Sequence, residues 1–265
     1  IDTKNATPWQ IHLDQLARDV FIASKPVVLD YQKHGFDIIN LDELYGLEKY
    51  FEIADVFELA LKWIPTIKNL QTKGTLFRVI SHNIHTGKQL NRVMPVAVSE
   101  WLKSPTHDYG LRQNIGNIFE EHPRKEYYKQ ILSLIQSTLL RPIDSTEQTW
   151  KYDRASNTVQ LGPIDNTEPI VDCYYLIMAL AKTKDIDSDR VYHDLCSFKH
   201  TKRLQMPTFE AFGILKDQRA LPWLKKMLID KSMYSGKYSD RADDTYKRKL
   251  IEKAITKIET AQKKS

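Results

Sequence analysis

Cysteine is scarce in this chain, which has only Cys173 and Cys196 among its 265 residues. Two thiols are too few for the disulfide framework of a secreted protein of this length, so we expect a reducing compartment and predict a cytoplasmic protein. Long apolar runs are also missing, since none reaches the roughly 18 to 20 residues that span a bilayer. We therefore expect a soluble protein with no membrane partner.

Sequence motifs of the common enzyme classes are absent as well. The chain has no phosphate-cradling glycine-rich loop, no nucleophile elbow and no paired-cysteine zinc motif. We therefore assign no catalytic residue, no metal and no cofactor, and favour a non-enzymatic protein.

One group of residues is compatible with chemistry. His193, Cys196 and His200 are spaced by three and four, which places them near one helical face. Zinc uses such ligands, and a thiolate beside an imidazole is a nucleophile. A structural role is the favoured alternative, with Cys196 packed in the core.

Charge is abundant but nearly balanced. The chain has 39 basic and 34 acidic residues, a net charge of +5, and 42% hydrophobic residues, an ordinary globular composition. Such a modest positive excess permits contact with nucleic acid but does not require it. The composition predicts a folded chain and leaves the class of partner open.

A basic residue recurs at intervals of about 30 residues, with one interval of about twice that length. We call these residues the basic markers: Lys62, Arg92, Arg124, Arg190 and Arg219. Each precedes an apolar helical pattern, and a period of this size is typical of solenoids, in which helical pairs bury their apolar faces against neighbouring pairs. The pattern predicts an all-α fold, a right-handed α-solenoid.

The N-terminal segment predicts two helices. Thr7 caps the first, over residues 8–23, and Pro26 starts a second that Gly35 ends. The first helix carries one apolar stripe, formed by Leu13, Leu16, Ala17, Val20 and Phe21. We expect this pair to cover the first regular repeat.

The apolar pattern divides the whole chain into segments of one elongated domain, residues 1–265. We expect an N-terminal cap over 1–41, repeats over 42–138, an insertion over 139–168, repeats over 169–231 and a C-terminal capping helix over 232–265. In the first repeat, a helix should start at Asp42 and continue through Leu61.

The insertion interrupts the basic markers. Near 149–161, apolar and polar residues alternate on either side of a polar turn, which predicts a small β-hairpin. Trp150, Tyr152 and Arg154 are residue types that dominate binding hot spots, and loops that break a repeat often carry specificity. They are the candidate binding residues of the hairpin, the alternative being a hairpin simply folded against the body.

The segment AFGILKDQRALPWLKKML, residues 211–228, resembles the HEAT repeat in the short form found in phycobilisome-lyase-like proteins. The segment LRQNIGNI, residues 111–118, resembles the first helix of another copy. The resemblance implies HEAT-like helical pairs, with Asp217 capping a helix and Arg219 tying neighbouring repeats together. Some HEAT-like enzymes hold iron with His-Glu dipeptides, and this chain has none.

Two functions follow. We favour a protein-binding solenoid, such as an adaptor or a toxin-neutralising immunity protein. The alternative is a DNA-binding HEAT-like protein, such as a base-excision enzyme related to alkylpurine glycosylases, in which basic markers contact phosphates. Arg92, Arg124 and Arg190 are the candidate contacts, with Trp63, Trp101 and Trp223 as aromatic platforms. The competing interpretation is that these arginines bridge repeats and these tryptophans fill the core.

Overall fold

The computed structural model describes residues 6–50, 53–104, 109–140, 148–153, 158–163, 172–201, 204–230 and 241–263. Its fold class is all-α, as predicted. Twelve α-helices are present in these ranges: α1 Pro8–Lys33, α2 Glu43–Gly46, α3 Ala54–Trp63, α4 Leu70–His82, α5 Gly87–Lys103, α6 Tyr109–Glu121, α7 Tyr128–Leu140, α8 Asp172–Lys182, α9 Ser188–Phe198, α10 Gln205–Leu215, α11 Leu221–Ile229 and α12 Arg241–Gln262. None of the helices in the described ranges is long and apolar enough to cross a membrane.

Two strands are also present. β1, Gln148–Asp153, pairs antiparallel with β2, Thr158–Pro163. Trp150 is opposite Leu161 and Tyr152 is opposite Val159 in the register. The pair occupies the stretch in which the sequence alternates apolar and polar residues.

The chain forms two compact units. The first comprises Ile1–Ile118 and Leu140–Asn166, and the second comprises Phe119–Leu139 and Thr167–Ser265. The single elongated domain stays a prediction.

The core of the first unit lies between α1, α3, α4 and α5. Buried apolar residues recur at helical spacing on each helix, and Trp101 on α5 is fully buried. Tyr31 of α1 is also fully buried and donates its hydroxyl hydrogen to the carbonyl oxygen of Val56 at 2.8 Å. This bond ties α1 to the start of α3, because a buried phenol needs an acceptor.

The core of the second unit centres on α10, which packs against α8, α9 and α12. Gly213 lets α10 approach α12 closely, since a Cβ at this position would lie 2.9 Å from the Cα of Ala254. Asp217 accepts the backbone hydrogen of Arg219 at 2.9 Å, which confirms the expected cap.

The prediction of two N-terminal helices is wrong. Thr7 caps α1 as expected and also forms a capping box with Gln10, but α1 continues without a break through Pro26 to Lys33. Pro26 removes one backbone donor, a local cost. Burial of Val27 and Tyr31 on the same apolar stripe holds the helix together beyond the proline.

The long helix predicted from Asp42 to Leu61 is also wrong. The chain instead forms α2, a 3-10 turn at Glu48–Tyr50, and α3 from Ala54. The backbone of Leu47 is extended and ends α2, and the Asp42 side chain accepts from the Tyr45 hydroxyl instead of capping the helix. Helices α4 to α6 lie within residues 42–138, and helices α8 to α11 lie within residues 169–231, the two ranges expected to contain repeats.

Candidate functional site

The apolar stripe of α1 lies in two different environments. Its C-terminal part is in the core, where Val27 and Tyr31 are fully buried. Its N-terminal part, residues 8–23, contains no buried side chain, and Leu13 and Phe21 are 42% and 65% exposed. Leu16 and Val20, between them, are half-buried, so this half of the stripe is only partly covered.

A groove of about 370 Å³ lies beside this partly covered half. We call it the α1 groove. The lining residues come from α1, from the turn before α2 and from the first turns of α4: Leu13, Leu16, Ala17, Val20, Phe21, Ser24, Asn40, Leu41, Asp42, Gln71, Thr72 and Thr75. Its α1 wall is almost entirely apolar and its α4 wall is polar.

Several polar atoms in the α1 groove are already hydrogen-bonded within the chain. The Ser24 hydroxyl donates to the carbonyl oxygen of Phe21 at 3.1 Å, and the Thr72 hydroxyl donates to Oδ1 of Asn69 at 3.0 Å. Asp42 is the one charged residue among the lining residues; it is exposed, accepts the Tyr45 hydroxyl hydrogen at 3.0 Å, and forms no ion pair with any described residue. The groove therefore offers apolar contact and one carboxylate, a combination suited to binding.

The basic markers are largely neutralised by carboxylates on neighbouring helices. Nζ of Lys62 lies 2.8 Å from Oδ2 of Asp30, and Nη2 of Arg219 lies 2.8 Å from Oδ1 of Asp189. The indole of Trp63 also donates to Asp30, at 2.7 Å. These hydrogen bonds, first from Lys62 and then from Trp63, hold the pKa of Asp30 below its usual value.

Arg92, a predicted binding residue, makes the same kind of pair. Its two terminal nitrogens lie 2.5 and 2.7 Å from the two carboxylate oxygens of Glu58, and this contact lowers the pKa of Glu58. The three acidic partners, Asp30, Glu58 and Asp189, precede their basic partners by 32, 34 and 30 residues. The same kind of ion pair thus links α1 to α3, α3 to α5, and α9 to the turn before α11.

Arg190 and Arg124 differ from that pattern. Arg190 lies over the ring of Tyr128, 5.3 Å from its centroid, with Nε 3.8 Å from Asp194. Burial and a 2.8 Å hydrogen bond to Asp194 raise the pKa of Tyr128. Arg124 is exposed and makes no ion pair within the described part of the chain. Arg92, Arg190 and Arg124 thus differ in their contacts, and their role in binding stays a prediction.

The predicted tryptophan platforms are in packed positions. Trp101 is fully buried under the guanidinium of Arg112, 5.0 Å from its ring centroid. Trp223 packs against Phe209 and Phe212, with centroid distances of 5.1 and 5.6 Å. Trp101 is therefore a core side chain, whereas Trp223 and Trp63 are half-buried.

The candidate residues of the insertion are placed only in part. Trp150 and Tyr152 lie on β1, opposite Leu161 and Val159. Arg154 lies outside the described residues. The hairpin as a binding element stays a prediction.

The histidine and cysteine group does not gather into a metal site. His193 and His200 are exposed, and Cys196 is half-buried. Burial and contact with the Cys196 thiol raise the pKa of Tyr192 to about 12. No set of three or more His, Cys, Asp or Glu side chains in the described ranges is placed to hold a metal ion.

Comparison with protein-family models, with curated proteins and with solved structures finds no match for this chain. The geometry of the α1 groove is therefore the basis for assigning a function.

One wall of the α1 groove is visible in the sequence, but the groove itself is not. The stripe on α1 is visible as an apolar period, but Leu41 and Thr72 are distant in sequence and carry no pattern of their own. The partial exposure of this stripe is a property of the folded chain and cannot be recognised from the sequence.

Proposed function

We propose that this protein binds another protein through the α1 groove and has no enzymatic activity. The observation that carries the proposal is the continuous apolar stripe of α1, which is buried over its C-terminal part and only partly covered from Leu13 to Phe21. Contiguous exposed apolar surface beside a groove is typical of protein-interaction sites. The function is that of a binding protein, such as an adaptor or an immunity protein.

We also propose that the helical pairs are HEAT-like repeats of an α-solenoid. The repeated ion pairs support this, because they recur at separations of 30 to 34 residues, close to one helical repeat. The bond from Arg219 to Asp189 agrees with the role that the HEAT resemblance implies for that arginine.

The ion pairs of the basic markers favour protein binding over DNA binding. Lys62, Arg92 and Arg219 each have a carboxylate within hydrogen-bond distance, so contact with a phosphate would have to displace an existing ion pair. The net charge of +5 is small for a phosphate-binding surface in a chain of this length.

Site-specific photo-crosslinking tests the proposed function. A benzophenone amino acid is placed at Phe21, which lines the α1 groove, or at Ile22, which does not and is similarly exposed at 68%. In an extract of the cells that express the protein, we expect a discrete protein adduct from position 21 and not from position 22. Equal adducts from both positions, or none from either, would contradict the proposal.

A further inference from the structure

The shape of the α1 groove restricts the kind of segment that it accepts. Its α1 wall extends from Leu13 to Ser24, which at 1.5 Å per residue is about 17 Å of helix. A segment that covers this wall as a parallel or antiparallel helix has about 12 residues, or three turns. The stripe continues beyond the groove at half-buried Trp9, which favours an elongated occupant over a small molecule.

The backbone of α1 decides between an extended and a helical occupant. The amides and carbonyls of α1 are bonded within the helix, so this wall offers almost no backbone partner to an incoming chain. An extended peptide pressed against Leu16 and Val20 would bury backbone groups without hydrogen bonds, whereas a helix satisfies its own. Lining residues spaced by three and four also form the ridges against which a second helix packs.

The charge in the α1 groove indicates which charged residue the occupant should carry. Asp42 is exposed and lines the groove without an ion pair to any described residue. On the α1 side, Asp14 and Arg18 already pair with each other at 2.7 Å. Oδ1 of Asp42 accepts the Tyr45 hydroxyl hydrogen at 3.0 Å, which leaves its negative charge without a cationic partner among the described residues. This is the charge that a ligand can complement, which favours a lysine or arginine.

We propose that the α1 groove binds a three-turn amphipathic helix of a partner protein, which packs aliphatic side chains against α1 and places a lysine or arginine beside Asp42. This inference rests on the proposed protein-binding function. It adds the conformation of the bound segment, its apolar spacing and its charge.

Selection from a phage-displayed library of helix-forming peptides of about 14 residues tests this inference. We expect enrichment of peptides with aliphatic residues at i, i+3 or i+4, and i+7, together with one lysine or arginine. Binding of a selected synthetic peptide should weaken about tenfold or more in Phe21→Glu and change less than about twofold in Ile22→Glu. Asp42→Asn should weaken binding and remove the preference for the basic residue.

The variants are chosen so that folding does not obscure the result. Phe21 and Ile22 are adjacent, and residues 8–23 contain no buried side chain, so thermal unfolding should change little in either variant. If Phe21→Glu does unfold, Ala17→Glu replaces it, because Ala17 is exposed, lines the groove and accepts a good helix former.

Three results would overturn the inference. One is equal peptide binding by the wild type and the groove variants. Another is enrichment of peptides without a basic residue, combined with no effect of Asp42→Asn. The third is a concentration-dependent dimer, measured by light scattering, that Phe21→Glu abolishes, because the occupant would then be a second copy of the chain. In the photo-crosslinking experiment, an adduct between position 21 and a non-helical segment of a partner refutes only the helical conformation of the occupant. The absence of any adduct refutes the proposed function itself.

Discussion

A buried ion pair between α4 and α5 provides the sharpest test of the structure. The side chains of Lys73 and Glu100 are 11% and 6% exposed and are joined by a hydrogen bond. Lys103 lies 3.5 Å from the same carboxylate but is 68% exposed. The pair holds α4, whose first turns supply Gln71 and Thr72 to the α1 groove.

Lys73→Met retains most of the apolar stem of the lysine and removes its charge. Glu100 is then a buried carboxylate whose remaining ion-pair partner among the described residues is the exposed Lys103. Removing one partner of a buried pair costs about 3 to 5 kcal/mol. Because Lys103 compensates part of this charge, we expect a loss of about 3 kcal/mol in the free energy of unfolding, measured by urea denaturation with circular dichroism.

The double variant Lys73→Met/Glu100→Met separates the loss of the pair from the unpaired charge. Replacing both members of a buried pair by apolar residues is often neutral or stabilising, so the double variant should recover to within about 1 kcal/mol of the wild type. Lys225→Met is the matched control, because its partner Glu259 is 43% exposed, and it should cost less than about 1 kcal/mol. A cost of Lys73→Met as small as that of Lys225→Met would refute the reasoning.

Three further predictions concern packing, pH and the class of partner. Gly213→Ala should destabilise the protein by about 1 to 3 kcal/mol, because the new Cβ would lie 2.9 Å from the Cα of Ala254, whereas Gly46→Ala, with open space, should be neutral or stabilising in the same urea experiment. Since a hydrogen bond from Lys62 lowers the pKa of Asp30, the stability from this carboxylate is present above about pH 4 and is lost as the pH falls toward the lowered pKa. Asp30→Asn should therefore flatten the acid limb of the melting temperature plotted against pH, and an unchanged acid limb contradicts the assignment. Fluorescence anisotropy should detect no binding of duplex DNA at low salt, and an affinity that falls steeply with rising salt would support phosphate contacts instead.

Local helical signals predicted most helix positions, because apolar spacing and helix caps act over a few residues. The turn at Asp217 is an example, since its carboxylate caps the following turn as the HEAT resemblance implies. Pro26 shows where local rules fail, because tertiary burial of Val27 and Tyr31 outweighs the local cost of a proline inside α1.

The ion pairs give a structural role to three of the basic markers. The sequence supplied the period, and the structure supplied the acidic partners, such as Asp30 for Lys62 and Glu58 for Arg92. Those carboxylates carry no visible period of their own, because a helix surface has many acids and only packing selects one. The competing interpretation of these markers as bridges between helical pairs is therefore the better supported one for Lys62, Arg92 and Arg219.

The α1 groove was beyond sequence analysis for a more general reason. Hydrophobic periodicity records which residues share a face of a helix, and Val20 and Val27 belong to the same stripe of α1. It does not record how much of that face a neighbouring helix covers. In the folded chain α1 contacts α3 and α4, and Val27 is fully buried while Leu13 is 42% exposed. An apolar stripe that continues beyond its buried part is therefore recognised only when the sequence is compared with the packing. In this chain it directs the search for a partner to α1.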